Sequence, residues 1–124
     1  GSISAAPMDA HTLTVTDGFE LSNKLSLWYG TSNLGDNPDL FKAQVTRLAA
    51  AVDARLAGDS NAASSGCIIN TGGWIDSGGY ELLTFILRAF KIDVVLVMGH
   101  DRLYQQLLKT CTNLSAADGG SGAG

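Results

Sequence analysis

Two short apolar runs, Cys67-Ile68-Ile69 and Val94-Val95-Leu96-Val97-Met98, restrict what this chain can fold into more than anything else in it. Neither alternates apolar with polar residues, which is the pattern of a strand covered on both faces, as in a parallel sheet. Between them lie a glycine-bearing turn and an apolar helical stretch from Tyr80 to Lys91. Strand, helix and strand in that order make a βαβ unit with a right-handed crossover. In open α/β sheets ligands gather beyond the carboxyl ends of the strands, which here is Asn70-Thr71-Gly72-Gly73-Trp74.

The rest of the chain fits around that unit. Ile3 begins a short strand, and His11 to Thr16 alternates at Leu13 and Val15 as an edge segment closed by Asp17-Gly18. Leu25 to Tyr29 reads as a strand stopped by Gly30, and Thr31 to Asn37 as a loop. A helix follows, with Asn37 as N-cap, Pro38 in its first position and Asp39 at its positive end. Phe41, Val45, Leu48, Val52 and Leu56 form one apolar stripe that excludes Arg47 and Arg55. Gly58 is expected to end this helix through a positive φ, leaving 59–65 as a polar loop. The helix 80–91 carries apolar residues around most of its circumference. A last helix spans Asp101 to Cys111, with Leu103, Leu107 and Leu108 inward. The expected architecture is a three-layer α/β fold with strands 25–29, 67–70 and 92–98 parallel in one sheet. Three strands are few for such a sheet, so residues 1–113 read as part of a larger domain. Residues 114–124, rich in Gly, Ser and Ala, read as a flexible tail.

Composition narrows the function. Apolar residues make up 45% of the chain and charged residues 16%, enough for a buried core. Twelve acidic against eight basic side chains give a net charge of −4, and no basic surface for nucleic acid is evident. Cys67 in a strand and Cys111 in a helix lack metal-ligand spacing and are expected as two buried thiols in a reducing compartment. No apolar run reaches the roughly 18 residues of a membrane span, and no signal peptide is visible. An intracellular, soluble protein is expected.

Few residues offer chemistry. The Gly72-Gly73…Gly78-Gly79 segment is either a tight turn or a set of amides that hold a phosphate. It is neither a GxGxxG fingerprint nor a Walker A loop, because no lysine follows a glycine anywhere in the chain. Trp74 is either a partly buried core residue or a platform for a nucleobase. Thr71 either donates to a phosphate or caps the following turn. His100-Asp101 fits a helix start better than a catalytic pair, since no nucleophile accompanies it. Asp76 and Asp93 read as surface and strand-start residues. No metal constellation, paired-carboxylate signature or GxSxG is present.

At these residues the sequence resembles a known family. Ser65-Gly66-Cys67-Ile68-Ile69-Asn70-Thr71-Gly72-Gly73-Trp74, then Gly79-Tyr80, Val94 to Val97 and Asp101-Arg102-Leu103-Tyr104, is similar to the polynucleotide 5′-hydroxyl kinases. The likeness is strongest to the kinase-like subunits of the pre-mRNA cleavage and polyadenylation factor, which also work with the tRNA splicing endonuclease. It extends through Gly18-Phe19, Tyr29-Gly30, Leu40 and Arg47-Leu48, covering roughly residues 17–108. The resemblance implies a P-loop NTPase core, with ATP and Mg²⁺ bound by the complete protein. It implies transfer of the γ-phosphate to an RNA 5′-hydroxyl, in the nucleus, beside other cleavage-factor subunits. It further implies that the Thr-x-Gly-Trp element, here Thr71, Gly73 and Trp74, closes over the RNA end and stacks Trp74 on a base. Thr31 and Ser32 would lie beside that end.

The chain departs from the family in two ways. Active animal members commonly carry Lys-Gly after the Thr-x-Gly-Trp-apolar run, where this chain has Asp76-Ser77. An acidic side chain beside an RNA phosphate costs affinity. The Walker A loop, the activating carboxylate and the arginine-rich lid are also missing, so no catalytic residue is expected in this chain. The alternative is an inactive, ATP-binding scaffold that tethers partner subunits. In either case Leu83, Phe85 and Leu87 cannot all face one sheet, and residues 1–124 are expected to expose apolar surface that the rest of the domain or a partner covers.

Overall fold

A computed structural model of the chain describes residues 1–8, 16, 18 and 23–118. They fall into two compact units, one up to Lys91 and one from Ile92 onward. The expected edge segment from His11 to Thr16 lies, apart from Thr16 in a turn, outside the described residues.

The first unit begins with β1 (Ser2–Ala5) and β2 (Leu25–Trp28), an antiparallel pair with Ile3 opposite Leu27. Beyond β2 the ladder is extended by the Gly1 carbonyl, which accepts from the Tyr29 and Gly30 amides at 2.9 and 3.3 Å. Gly30 then takes φ +94°, a conformation that only glycine adopts without strain. The turn that follows leads into α1 (Pro38–Gly58), and the Asn37 side chain accepts from the Leu40 amide at 3.1 Å, as its N-cap role requires. Phe41, Val45 and Leu48 of the stripe are buried, joined by Ala49, while Val52 and Leu56 are half-buried. Arg47 and Arg55 are exposed.

Gly58 is not the expected positive-φ stop. Asp59, in extended backbone (φ −141°, ψ 105°), ends α1, and its carboxylate accepts from the Asn61 and Ala62 amides at 3.0 and 3.1 Å. That cap starts α2 (Ser60–Ser65) where a loop was expected. Then comes α3 (Gly78–Ala89), which buries Leu82, Leu83 and Ile86 and leaves Phe85, Leu87 and Phe90 half-buried. Lys91 closes it with φ +51°, and its Nζ reaches Asp53 Oδ2 of α1 at 2.9 Å. That hydrogen bond, with the carboxylate's charge, holds the lysine above its ordinary titration range. Both side chains are largely in solvent, so the pair contributes little stability. Tyr29, Phe41, Val45, Leu82 and Ile86 form the core, with Ile3, Leu34 and Ile69 packed against it.

The expected three-stranded parallel sheet is not what these residues build. The one sheet among the described residues has two strands, β1 and β2, and they run antiparallel. Segments 67–70 and 92–98 have no ladder. The apolar pattern states which faces a segment must bury, but a parallel strand also needs a neighbour for its amides and carbonyls. Segment 67–70 has half of its burial: Ile69 packs on the core and Ile68 is 90% exposed. Cys67, expected buried, is exposed.

In the second unit Leu96 is 85% exposed, and Val94, Val95 and Met98 are exposed with it. Its helix α4 (Asp101–Asp118) runs past Cys111, burying Leu103 and Leu107. Leu108, expected inward, lies about 100° around the helix from Leu107 and is exposed. Residues 119–124 of the expected tail lie outside the described residues. No helix among the described residues is long and apolar enough to cross a membrane.

Two measurements check this arrangement. Tyr29→Phe removes a hydroxyl that serves three backbone groups and is expected to cost about 1–3 kcal/mol in denaturant unfolding; an unchanged midpoint would refute its structural role. Partial burial pushes the Cys67 thiol above its ordinary range. At pH 8 it therefore carries less thiolate than free cysteine, and its alkylation is expected to be slower and to keep accelerating past pH 9. Complete protection of Cys67 in residues 1–124 would show that segment 67–70 is covered.

Candidate functional site

The candidate residues lie on two segments of the first unit. Thr31 and Ser32 open the loop between β2 and α1, and Thr71, Gly73 and Trp74 lie between α2 and α3. The loop is fixed by its own polar groups. The Thr31 hydroxyl donates to the Asn33 carbonyl at 2.8 Å, the Asn33 Nδ2 donates to Asp36 Oδ1 at 2.8 Å, and the Gly35 amide donates to Asn33 Oδ1 at 3.0 Å. Below it, the Tyr29 hydroxyl lies 2.9 Å from both the Leu34 and Asn37 carbonyls and accepts from the Asn37 amide at 3.1 Å. Tyr29 is 5% exposed and meets Phe41 edge to face at 5.9 Å, so the loop is anchored in the core.

Glycines bring the two segments together. A β-carbon on Gly35 would lie 3.0 and 3.1 Å from Cη2 and Cζ3 of Trp74, and one on Gly72 would lie 3.0 Å from Leu34 Cδ1. On the other side of the sequence, Gly78 approaches Trp74 Cη2 at 3.1 Å, and a β-carbon on Gly79 would overlap the Trp74 carbonyl. The indole is thus seated on the loop and on the start of α3, with 42% of its surface open. The cavity lined by Leu34, Thr71, Trp74 and Leu82 holds only about 10 Å³, room for about one water, so nothing larger enters beneath the ring. A ligand reaches Trp74 only from outside.

Gly73 behaves differently. A β-carbon there would meet nothing within 4 Å, and its φ is not positive, so this chain gives no reason of its own for a glycine. Thr71, Ser32 and Asp76 are exposed, and Thr31 is half-buried. The turn reading of Gly78-Gly79 gains over the phosphate cradle, because the Gly79 amide already donates to the Asp76 carbonyl at 2.8 Å. In the second unit the Leu103 amide donates to His100 Nδ1 at 3.1 Å, so His100 caps α4. Tyr29, Leu34 and Gly35 were not singled out as site residues from the sequence. Their part depends on a packing contact between positions about 40 residues apart, which no local motif records.

The residues of this chain do not fit Mg²⁺-ATP. No lysine follows a glycine, and the described residues hold no group of three or more His, Cys, Asp or Glu side chains placed to bind a metal ion.

The comparisons with known proteins bear on this geometry. A profile of the family described as mRNA cleavage and polyadenylation factor CLP1 P-loop matches residues 1–118. The chain is similar to the Protein CLP1 homolog of Arabidopsis thaliana, 36% identical over 118 residues, covering 95% of this chain and 26% of that protein. It is also similar to the Polyribonucleotide 5′-hydroxyl-kinase Clp1 of Xenopus tropicalis, 38% identical over 95 residues, covering 77% of this chain and 22% of that protein. The Protein CLP1 homolog of Dictyostelium discoideum is 37% identical over 107 residues, covering 86% and 23%. The chain therefore spans about a quarter of the length of the curated relatives it matches. The resemblance read from Thr71-Gly72-Gly73-Trp74 and its flanks is the right one: the chain belongs to the mRNA cleavage and polyadenylation factor CLP1 P-loop family, whose P-loop NTPase-like domain is an α/β fold.

Proposed function

We propose that this chain is the RNA-side portion of a polynucleotide 5′-hydroxyl kinase-like subunit acting in mRNA 3′-end cleavage and polyadenylation, and in tRNA processing. The single observation that carries the reading is the half-open Trp74, its indole seated on Gly35 of the 31–36 loop and on Gly78 and Gly79 of α3, above a cavity with room for about one water. An exposed aromatic stacks on any base, because every base has a π-face. Gly73, which its own chain leaves free to be any residue, leaves room for the RNA backbone. Thr71, Thr31 and Ser32 supply hydroxyls around the same end. ATP and Mg²⁺ would be held by residues of the complete protein outside this chain, ATP to supply the phosphoryl group and Mg²⁺ to neutralise its charge. This chain's own residues hold the RNA end and keep it in place.

A second reading is favoured by Asp76, exposed two residues beyond Trp74. A carboxylate there opposes RNA phosphate, as a catalytically inactive, ATP-binding scaffold of the cleavage factor would tolerate. Its partners would be other cleavage-factor subunits in the nucleus.

The complete protein separates the two. Transfer of labelled γ-phosphate from ATP to an RNA 5′-hydroxyl supports the kinase, and nucleotide-dependent thermal stabilisation without transfer supports the scaffold. For the kinase, Trp74→Ala is expected to weaken RNA binding by about 1–3 kcal/mol, roughly five- to 150-fold. Asp76→Lys is expected to strengthen RNA binding and to steepen its salt dependence by about one counterion. Unchanged RNA affinity in both variants removes the clasp from this segment.

A further inference from the structure

We propose that Gly35, Gly78 and Gly79 are positioning residues for Trp74, and that they join the 31–36 loop and the Thr-x-Gly-Trp segment into one rigid clasp. This deepens the clasp reading above and rests on it. None of the three glycines has a positive φ, so their backbone could hold any residue. What excludes a side chain is Trp74. At Gly79 an added β-carbon would lie 2.7 Å from Trp74 Cδ2 and would also overlap backbone of Trp74, which cannot swing away as a side chain can. At Gly78 it would press on the indole alone, at 3.1 Å, and at Gly35 on the indole edge at 3.0–3.1 Å, with Asn33 Oδ1 at 3.4 Å; no backbone stands in the way at either. The expected order of damage is therefore Gly79, then Gly78 and Gly35.

Gly35 matters for a second reason. Its amide is held by Asn33 Oδ1, and the loop it belongs to is tied to the buried Tyr29 hydroxyl through Leu34 and Asn37. The ring thus rests on a loop whose position is set by the core. A single seated aromatic offers one platform, which fits one unstacked base at the end of a single strand better than a duplex.

The test uses the complete protein labelled with 5-fluorotryptophan, its Trp74 ¹⁹F resonance assigned by Trp74→Phe, and a single-stranded 5′-hydroxyl RNA read by fluorescence anisotropy. Gly79→Ala is expected to shift or broaden the Trp74 resonance and to weaken RNA binding by about tenfold or more. Gly35→Ala, at a half-buried position in a loop outside the helices, is expected to do both to a smaller extent. If the glycines act through Trp74, Gly79→Ala added to Trp74→Ala weakens binding no further. Unchanged resonance and affinity in Gly35→Ala and Gly79→Ala overturn the proposal, as does full additivity with Trp74→Ala. Should Trp74→Ala leave RNA binding unchanged, the clasp reading fails, and the resonance shift alone still decides whether the glycines seat the ring.

Discussion

The arrangement of the first unit depends on one hydroxyl at the edge of its core. Tyr29 enters the core at the end of β2, and its ring packs on Phe41, Val45 and α3 residues while its oxygen meets three backbone groups of the 34–37 turn. The Asn37 carbonyl also accepts from the Phe41 amide at 3.0 Å, so the hydroxyl chiefly serves the Leu34 carbonyl and the Asn37 amide, each contact worth on the order of a hydrogen bond. Satisfying them from below fixes where the loop ends and where α1 begins. The Asn37 carboxamide then caps α1, and the Gln44 side chain of α1 donates back to the Trp28 carbonyl at 2.6 Å. Strand, loop and helix are held by one small polar set at the edge of an apolar core.

How the site was and was not legible follows from the range of each interaction. Asn37, Pro38 and the α1 stripe act within one or two turns of helix, and the sequence shows them directly. Trp74 and Thr71 drew notice locally, as an aromatic and a hydroxyl beside glycines after an apolar run, but Gly73 and the set as a whole came from the family resemblance. Gly35 drew no notice, since its requirement comes from a ring 39 positions away. Gly58 misled for the opposite reason: a glycine near a helix end suggests a left-handed cap, but Asp59 has the side-chain oxygen that both stops α1 and starts α2.

The apolar runs show where fold class and observed pairing part. Ile68 and Ile69 have the composition of a strand between two covered faces, and the structure covers one. Val94, Leu96 and Met98 are in the same condition. Pattern encodes burial demand, whereas strand pairing is a property of two segments together. The relatives are about four times as long as this chain, so there is ample polypeptide in proteins of this family to satisfy that demand.

Charge sets what this segment can contribute to RNA recognition. With a net charge of −4 and Asp76 beside the clasp, it has little with which to release counterions from an RNA backbone. Stacking on Trp74 needs no such charge. It is short-ranged, tolerant of sequence and only weakly dependent on salt, as the proposed clasp would require. Phosphate contacts, which steer association and set salt dependence, would then fall to other parts of the complete protein. On this division of labour the seat of the indole matters more than the charge around it.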